Sequence, residues 1–250
     1  MSVRIIPSIL TDGITVVKGQ KFENSRTVGS AAALARLFAN RDVDELMFLD
    51  VNARSRGQTI SMPLITEFAE ILDIPFSVGG GIDTLEAASL CFRFGAEKIV
   101  LGTAAIQNSE LISKIADKFG NQAIIVALDF RDDLTDILLT NSGRQSSDVD
   151  AYSFINHLES LGAGEILLQS CSRDGTMSGI NVRRIENVRN ETNLPVIASG
   201  GISSNEDAYK AVMAGASAVA VGALFHFSEV TPKIMRNYLS DKGISTRITI

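Results

Sequence analysis

Glycines at the ends of apolar runs are the first chemistry visible in this chain. Gly79, Gly80 and Gly81 close the run VGGG, and Gly200 and Gly201 close ASGG. Gly102–Thr103 and Gly222–Ala223 follow two further apolar runs. A glycine lets a ligand approach bare backbone, and successive exposed N–H groups attract an anion. Two phosphate cradles are therefore predicted. One holds Gly80, Gly81, Gly102 and Thr103; the other holds Ser199, Gly200, Gly201, Gly222 and Ala223. The plainer reading of the same glycines is a set of tight turns.

Titratable residues stand beside them. Asp129 ends IIVALDF, an acid after an apolar run, which suits general acid–base work. Asp50 ends MFLDV and either positions a ligand or ties neighbouring loops together. Lys18 either meets phosphate, gates the site, or is simply solvated. In SRDGTMSG (172–179), Asp174 and Gly175 allow a turn, while Ser, Thr and Arg supply donors. Ser142, Gly143 and Ser170 are weaker ligand contacts. Cys171 has no histidine near it in sequence, so a nucleophilic thiol is not expected. His157 and His226 stand alone, so no metal or other cofactor is predicted. Cys91 and Cys171 suggest no disulfide framework.

Elements must bring these residues together. Strand-like runs fall at 4–10, 45–51, 75–80, 98–103, 123–130, 165–170, 195–201 and 218–223. Helical patterns lie between and after them, at 31–40, 61–72, 84–94, 108–119, 150–161, 181–192, 204–214 and 231–242. Strict alternation implies right-handed parallel crossovers. Eight strands in 250 residues imply one α/β domain over 1–250, a (β/α)8 TIM barrel. A doubly wound open sheet is the alternative. The second half echoes the first: VGGGI by ASGGI, Leu10 by Asp129, Asp50 by Ser170. That suggests two half-barrels, about 1–120 and 121–250. Long loops are expected at 19–30 and at 131–148, the second with a small hairpin in its middle.

In a barrel the strand C-termini form the active face, which gathers the glycines and acids. Arg4, Glu45, Lys98 and Glu165 instead start strands and belong to the opposite face. Pointing inward, they form a charged ring, and charges there must pair. A stability plug and a gate to an internal passage fit equally.

Bulk composition sets limits. Apolar residues make up 45% and charged residues 21%, the profile of an ordinary globular chain. The net charge of −6 argues against nucleic acid. No long apolar run suggests a membrane span, and MSVRIIPSIL is no signal peptide. The cytoplasm is the expected location.

The runs RIIPSI, VVKGxxFEN, DELMFLD, IPFSVGGGI, GNQAIIVALD, GAGEILL, RDGTMSG, LPVIASGGI and AGASA resemble the cyclase subunit of imidazole glycerol phosphate synthase (HisF), from about residue 3 to residue 247. The resemblance implies a glutaminase docked on the bottom face, ammonia crossing the barrel, and a bisphosphate substrate at the top. It implies gate roles for Arg4, Glu45, Lys98 and Glu165, which weights the ring towards gating. Gln122 and Glu97 match positions near the family's glutaminase interface. Gly80, Gly81, Thr103, Gly200, Gly201 and Gly222 match its phosphate contacts, with Gly102 in place of an asparagine.

The catalytic pair departs from that pattern. The family carries two aspartates; Asp129 matches the second, and Leu10 stands where the first belongs. Asp12, two residues on and on the same strand face, is the alternative acid. Gln169 replaces a threonine. The HisF-like paralogues of surface-polysaccharide clusters (WbuZ-like) share the leucine. The resemblance to them implies ammonia supply, with a HisH-like glutaminase and a third, sugar-amidating enzyme, for acetamidino-sugar synthesis. A histidine-pathway cyclase making imidazole glycerol phosphate and AICAR is the second expectation. A non-catalytic scaffold that binds a phosphorylated ligand and activates a glutaminase is the third.

Overall fold

Strands rich in Ile, Val and Leu on both faces need cover on both sides, and a parallel barrel ringed by helices supplies it. The computed structural model describes residues 2–41, 43–132 and 137–247. The chain runs β1 (Arg4–Asp12), β2 (Thr15–Gln20), β3 (Glu23–Ser30), α1 (Ala31–Ala39), β4 (Leu46–Asp50), α2 (Met62–Ile71), β5 (Phe76–Gly79), α3 (Leu85–Arg93), β6 (Lys98–Leu101), α4 (Thr103–Gln107) and α5 (Glu110–Phe119). It continues through β7 (Ile124–Phe130), β8 (Ile137–Thr140), β9 (Gln145–Asp150), α6 (Ala151–Leu161), β10 (Glu165–Ser170), α7 (Val182–Glu191), β11 (Val196–Ser199), α8 (Asn205–Met213), β12 (Ala218–Val221), α9 (Ala223–Phe227) and α10 (Pro232–Asp241).

Eight strands pair in parallel in the circuit β1–β4–β5–β6–β7–β10–β11–β12, and β12 returns to β1. The sheet is closed, which excludes the open alternative. Three strand ends come two residues earlier than the sequence suggests, β12 among them, which stops at Val221 where Gly222 leaves extended geometry (φ −105°, ψ −85°). β6 stops at Leu101 because Gly102 leaves extended geometry (φ −103°, ψ −106°), and β11 stops at Ser199 because Gly200 takes φ +90°.

The segment 19–30, expected as a loop, is largely strand. β2 and β3 pair as an antiparallel hairpin that extends β1 beyond the barrel rim. Four consecutive β-branched residues over 14–17 carried that signal, but the polar run after Lys18 obscured it. The hairpin expected after the fifth barrel strand is β8–β9, joined to β7 at Asp129↔Leu139. Residues 133–136 of that segment lie outside the described residues. The short helices α4 and α9 were not foreseen; five residues are too few for a periodic pattern to register.

Strand parity divides the core in two. Ile6, Met47, Val100, Ile125, Leu167, Ile197, Ala218 and Ala220 fill the barrel interior. Ile5, Phe48, Val78, Ile99, Val126, Ile166, Val196 and Val219 face outward under the helices. Helix starts are fixed by side-chain caps such as Thr84, Asn181 and Ser204, each accepting from a backbone N–H three residues on.

An aromatic trio locks α2 to the sheet. Phe48 stacks on Phe68 with ring centroids 3.7 Å apart, and Phe76 meets both edge-on at 6.1 Å. Truncating the helical member opens a cavity against two strands. Phe68→Ala is expected to lower stability by about 3–5 kcal/mol, measured by urea unfolding.

Candidate functional site

The strand C-termini meet at one mouth, and two adjoining cavities there share Leu10. Strand parity selects who faces them. On β1, Ser8 and Leu10 point in; on β7, Asp129; on β10, Gln169; on β11, Ser199.

The first cavity brings together Asp50, Gly80, Gly81, Gly102, Thr103, Asp129, Ser142 and Gln169 over an apolar floor of Leu10, Leu49, Val100 and Leu167. Glycine is required on its wall. A Cβ on Gly81, at φ +63°, would lie 1.9 Å from the Gln58 carbonyl oxygen. The second cavity gathers Lys18, Asp174, Gly175, Ser199, Gly200, Gly201, Gly222 and Ala223. Gly201 mirrors Gly81: at φ +93°, its Cβ would sit 2.4 Å from the Gly179 carbonyl oxygen. Bare backbone thus faces the ligand space on both sides.

Charge in the mouth is held away from ordinary ionisation. Burial pushes the Asp129 carboxyl up to about 7, and the Asp174 charge adds to it. Burial likewise raises Asp174, to about 6, against the pull of Lys18. Lys18 is buried and lowered to about 8 by desolvation, with Asp174 opposing. Its Nζ donates to the Ser8 carbonyl at 3.4 Å and lies 3.3 Å from where a Gly222 Cβ would be. The lysine therefore sits directly over the second cradle. Behind it, the His226 ring nitrogen Nδ1 contacts the Gly222 carbonyl oxygen at 2.8 Å. Burial and Lys18 lower this histidine to about 4, so it is neutral near pH 7 and Nδ1 carries the proton for that bond.

Three sequence candidates are placed elsewhere. The Asp12 carboxylate accepts from Arg56 and, at 2.9 Å, from Asn52 Nδ2, and lines neither cavity. Ser170 points outward by parity, and its hydroxyl donates to Asp132 at 3.1 Å. Gly143 packs against Phe22 and Cys171, outside both cavities. Asp50 lines the first cavity, yet accepts from Gly13 N, Asn52 N and Arg56 Nη2, so it fastens the β1–β2 turn to β4.

Sequence reasoning missed Arg54, Arg56 and Phe22. Both arginines lie on a 3-10 turn after β4, where no periodicity marks direction. Phe22 tips the β2–β3 hairpin at φ +63° and closes over the first cavity.

At the other end of the barrel, Arg4, Glu45, Lys98 and Glu165 form a closed ring of alternating charge. Arg4 bonds Glu45 at 2.8 Å and also pairs with Glu165; Lys98 reaches Glu45 at 3.2 Å and Glu165 at 2.6 Å. Burial alone would raise the Glu165 carboxyl, but Arg4 and Lys98 overcome it and hold it below its ordinary value. Among the described residues no three His, Cys, Asp or Glu side chains group as a metal site, and no helix is long and apolar enough to cross a membrane.

A closed parallel barrel with its polar cleft at the strand C-termini defines a (β/α)8 protein of the TIM class. Residues 4–231 match the family described as histidine biosynthesis protein. The chain is 40% identical over 247 residues to the imidazole glycerol phosphate synthase subunit HisF of Dictyoglomus thermophilum, covering 98% of each chain. It is 39% identical to that of Thermobifida fusca, covering 99% of each, and 40% identical to that of Thermotoga sp. strain RQ2, covering 98% and 97%. The chain belongs to the histidine biosynthesis protein family and is of the HisF type.

Two stability measurements test this electrostatic picture. A raised carboxyl means the folded state holds a proton the unfolded state releases, so stability falls as pH rises from 3.8 towards 7. Asp129→Asn removes that penalty. It is expected to gain more than about 1 kcal/mol over the parent at pH 8 and nothing at pH 3, by urea unfolding. Glu165 has the opposite sign: its contribution is full above 4.5 and lost as pH falls through its lower folded value. Glu165→Gln leaves two cations sharing Glu45 and is expected to cost about 3 kcal/mol at pH 7, converging on the parent in acid.

Proposed function

We propose that this HisF-type subunit binds a ligand with two phosphate groups across its mouth and takes ammonia from a HisH-like glutaminase at the ring end. In this reading the ammonia serves acetamidino-sugar synthesis through a third, sugar-amidating enzyme, not closure of an imidazole ring. The carrying observation is the acid content of the mouth. Asp129 faces the cavity, while Leu10 occupies the matching place on β1. Asp12 is already paired with Arg56 and Asn52, so it does not replace the missing carboxylate. A positioned acid–base group is worth roughly 10²–10⁴ in rate, so its loss disables a two-acid cyclisation.

Glycine-walled pockets on both sides of Leu10, with Lys18 above one of them, support the two-phosphate ligand. A ring that spans the barrel axis opposite the mouth supports entry of ammonia from that end.

The second reading is a histidine-pathway cyclase making imidazole glycerol phosphate and AICAR. The full-length relatives at 37–40% identity, all bearing the HisF name, favour it. So does Asp129, poised near neutrality.

Turnover separates the two. The pure chain is incubated with the ribulosyl bisphosphate substrate of the cyclase in alkaline ammonium buffer, and imidazole product is assayed. No product from the parent and a gain of product with Leu10→Asp are expected. Parent turnover that disappears in Asp129→Asn would establish the cyclase instead.

A further inference from the structure

Two arginines on one turn meet opposite surroundings. Arg56 is neutralised by two carboxylates, Asp12 and Asp50. Arg54 meets neutral amides. Its Nε donates to Asn141 Oδ1 at 3.0 Å and its Nη2 to Gln107 Oε1 at 2.7 Å. The one carboxylate within 4 Å of it among the described residues is Asp83, at 3.9 Å from Nη1 and 58% exposed. That is too far for a hydrogen bond and too wet to cancel the charge. A guanidinium carries five N–H donors. Two are engaged here, and they orient the group without neutralising it.

The orientation is specific. Gln107 closes α4, the short helix that follows Gly102 and Thr103. Asn141 tips the β8–β9 hairpin at φ +53°, and its own N–H donates to Thr103 Oγ1 at 2.8 Å. Both anchors of Arg54 are thus fastened to the first cradle, and Arg54 lines the same cavity as Gly80, Gly81, Gly102 and Thr103. The second cradle already has its cation in Lys18 over Gly222. Among the described residues that line the first, Arg54 is the one cation.

We propose that Arg54 is a ligand-binding residue that caps a phosphate end group in the first cradle, with Gln107 and Asn141 as its positioning residues. This rests on the two-phosphate reading above. An arginine offers paired donors to two oxygens of one oxyanion, a geometry a lysine does not reproduce. Arg54 would therefore set affinity for one end of the ligand independently of the other.

Inorganic phosphate is the probe, titrated into the full ¹⁵N-labelled chain. The amides of Gly81 and Thr103 report the first cradle, and those of Gly201 and Ala223 the second. In the parent, phosphate is expected to shift both sets. Arg54→Gln should weaken binding at the first cradle by about tenfold or more and leave the second unchanged. Arg54→Lys, which keeps the charge and loses the fork, should fall between. Parent-like affinity at the first cradle in Arg54→Gln would overturn the assignment and leave the arginine a clasp for the hairpin. Equal weakening at both cradles would overturn it too, because it marks a general loss of structure. If phosphate shifts neither set in the parent, the two-phosphate reading fails and takes this assignment with it.

Discussion

Hydrogen bonding between β12 and β1 closes the sheet, and closure fixes which way every side chain points. In an open sheet both faces look onto helices. In a barrel one face has only the interior to enter, so alternate residues of eight strands are committed to one narrow axis. Along β10 that axis receives Glu165, Leu167 and Gln169 in turn: charge at the bottom, apolar filling in the middle, a polar group at the mouth. β1 repeats the order with Arg4, Ile6, then Ser8 and Leu10. The ring, the plug of aliphatic side chains and the mouth are three levels of one parity pattern.

The levels depend on one another through dielectric. The aliphatic layer separates the ring from the mouth, and burial leaves Glu45 and Glu165 at one end and Lys18 and Asp129 at the other with little solvent to neutralise them. At the ring the response is mutual pairing, four side chains of alternating sign in a closed loop, with Glu45 Oε1 alone left without a partner in it. At the mouth the response is shifted ionisation: Asp129 and Asp174 are raised while Lys18 is lowered. One end of the barrel thus balances its charges by pairing, and the other by shifting them.

The barrel was legible because its signals are periodic. Eight apolar runs alternate with helical patterns, and each run maps to a barrel strand. The glycines were legible because a turn walled by backbone admits nothing else, as Gly81 against Gln58 and Gly201 against Gly179 demonstrate. The four ring charges stood out as charges at strand starts. Residues whose direction is set by loops were not legible. Arg54 and Arg56 are two positions apart on one turn, yet one meets amides and the other carboxylates. Ser170 read as a mouth residue because it ends its strand, but parity gives that place to Gln169. The β2–β3 hairpin hid behind a polar stretch whose pairing partner is itself.

Leu10 changes more than the count of acids. An aspartate in its place would add a third carboxyl to the cavity that Asp50 and Asp129 line and push the Asp129 carboxyl further from ionisation. Leucine withholds that charge while keeping the wall dry, so Asp129 stays within reach of its ionised form near pH 7. The same apolar wall would strengthen attraction between Lys18 or Arg54 and any anion bound beside it, since Coulomb energy grows as effective dielectric falls. A leucine at this place therefore offers no proton-transfer partner and keeps the surroundings of Asp129 apolar. Leu10 thus leaves Asp129 as the shifted carboxyl of the first cavity, while Lys18 and Asp174 form the titratable pair of the second.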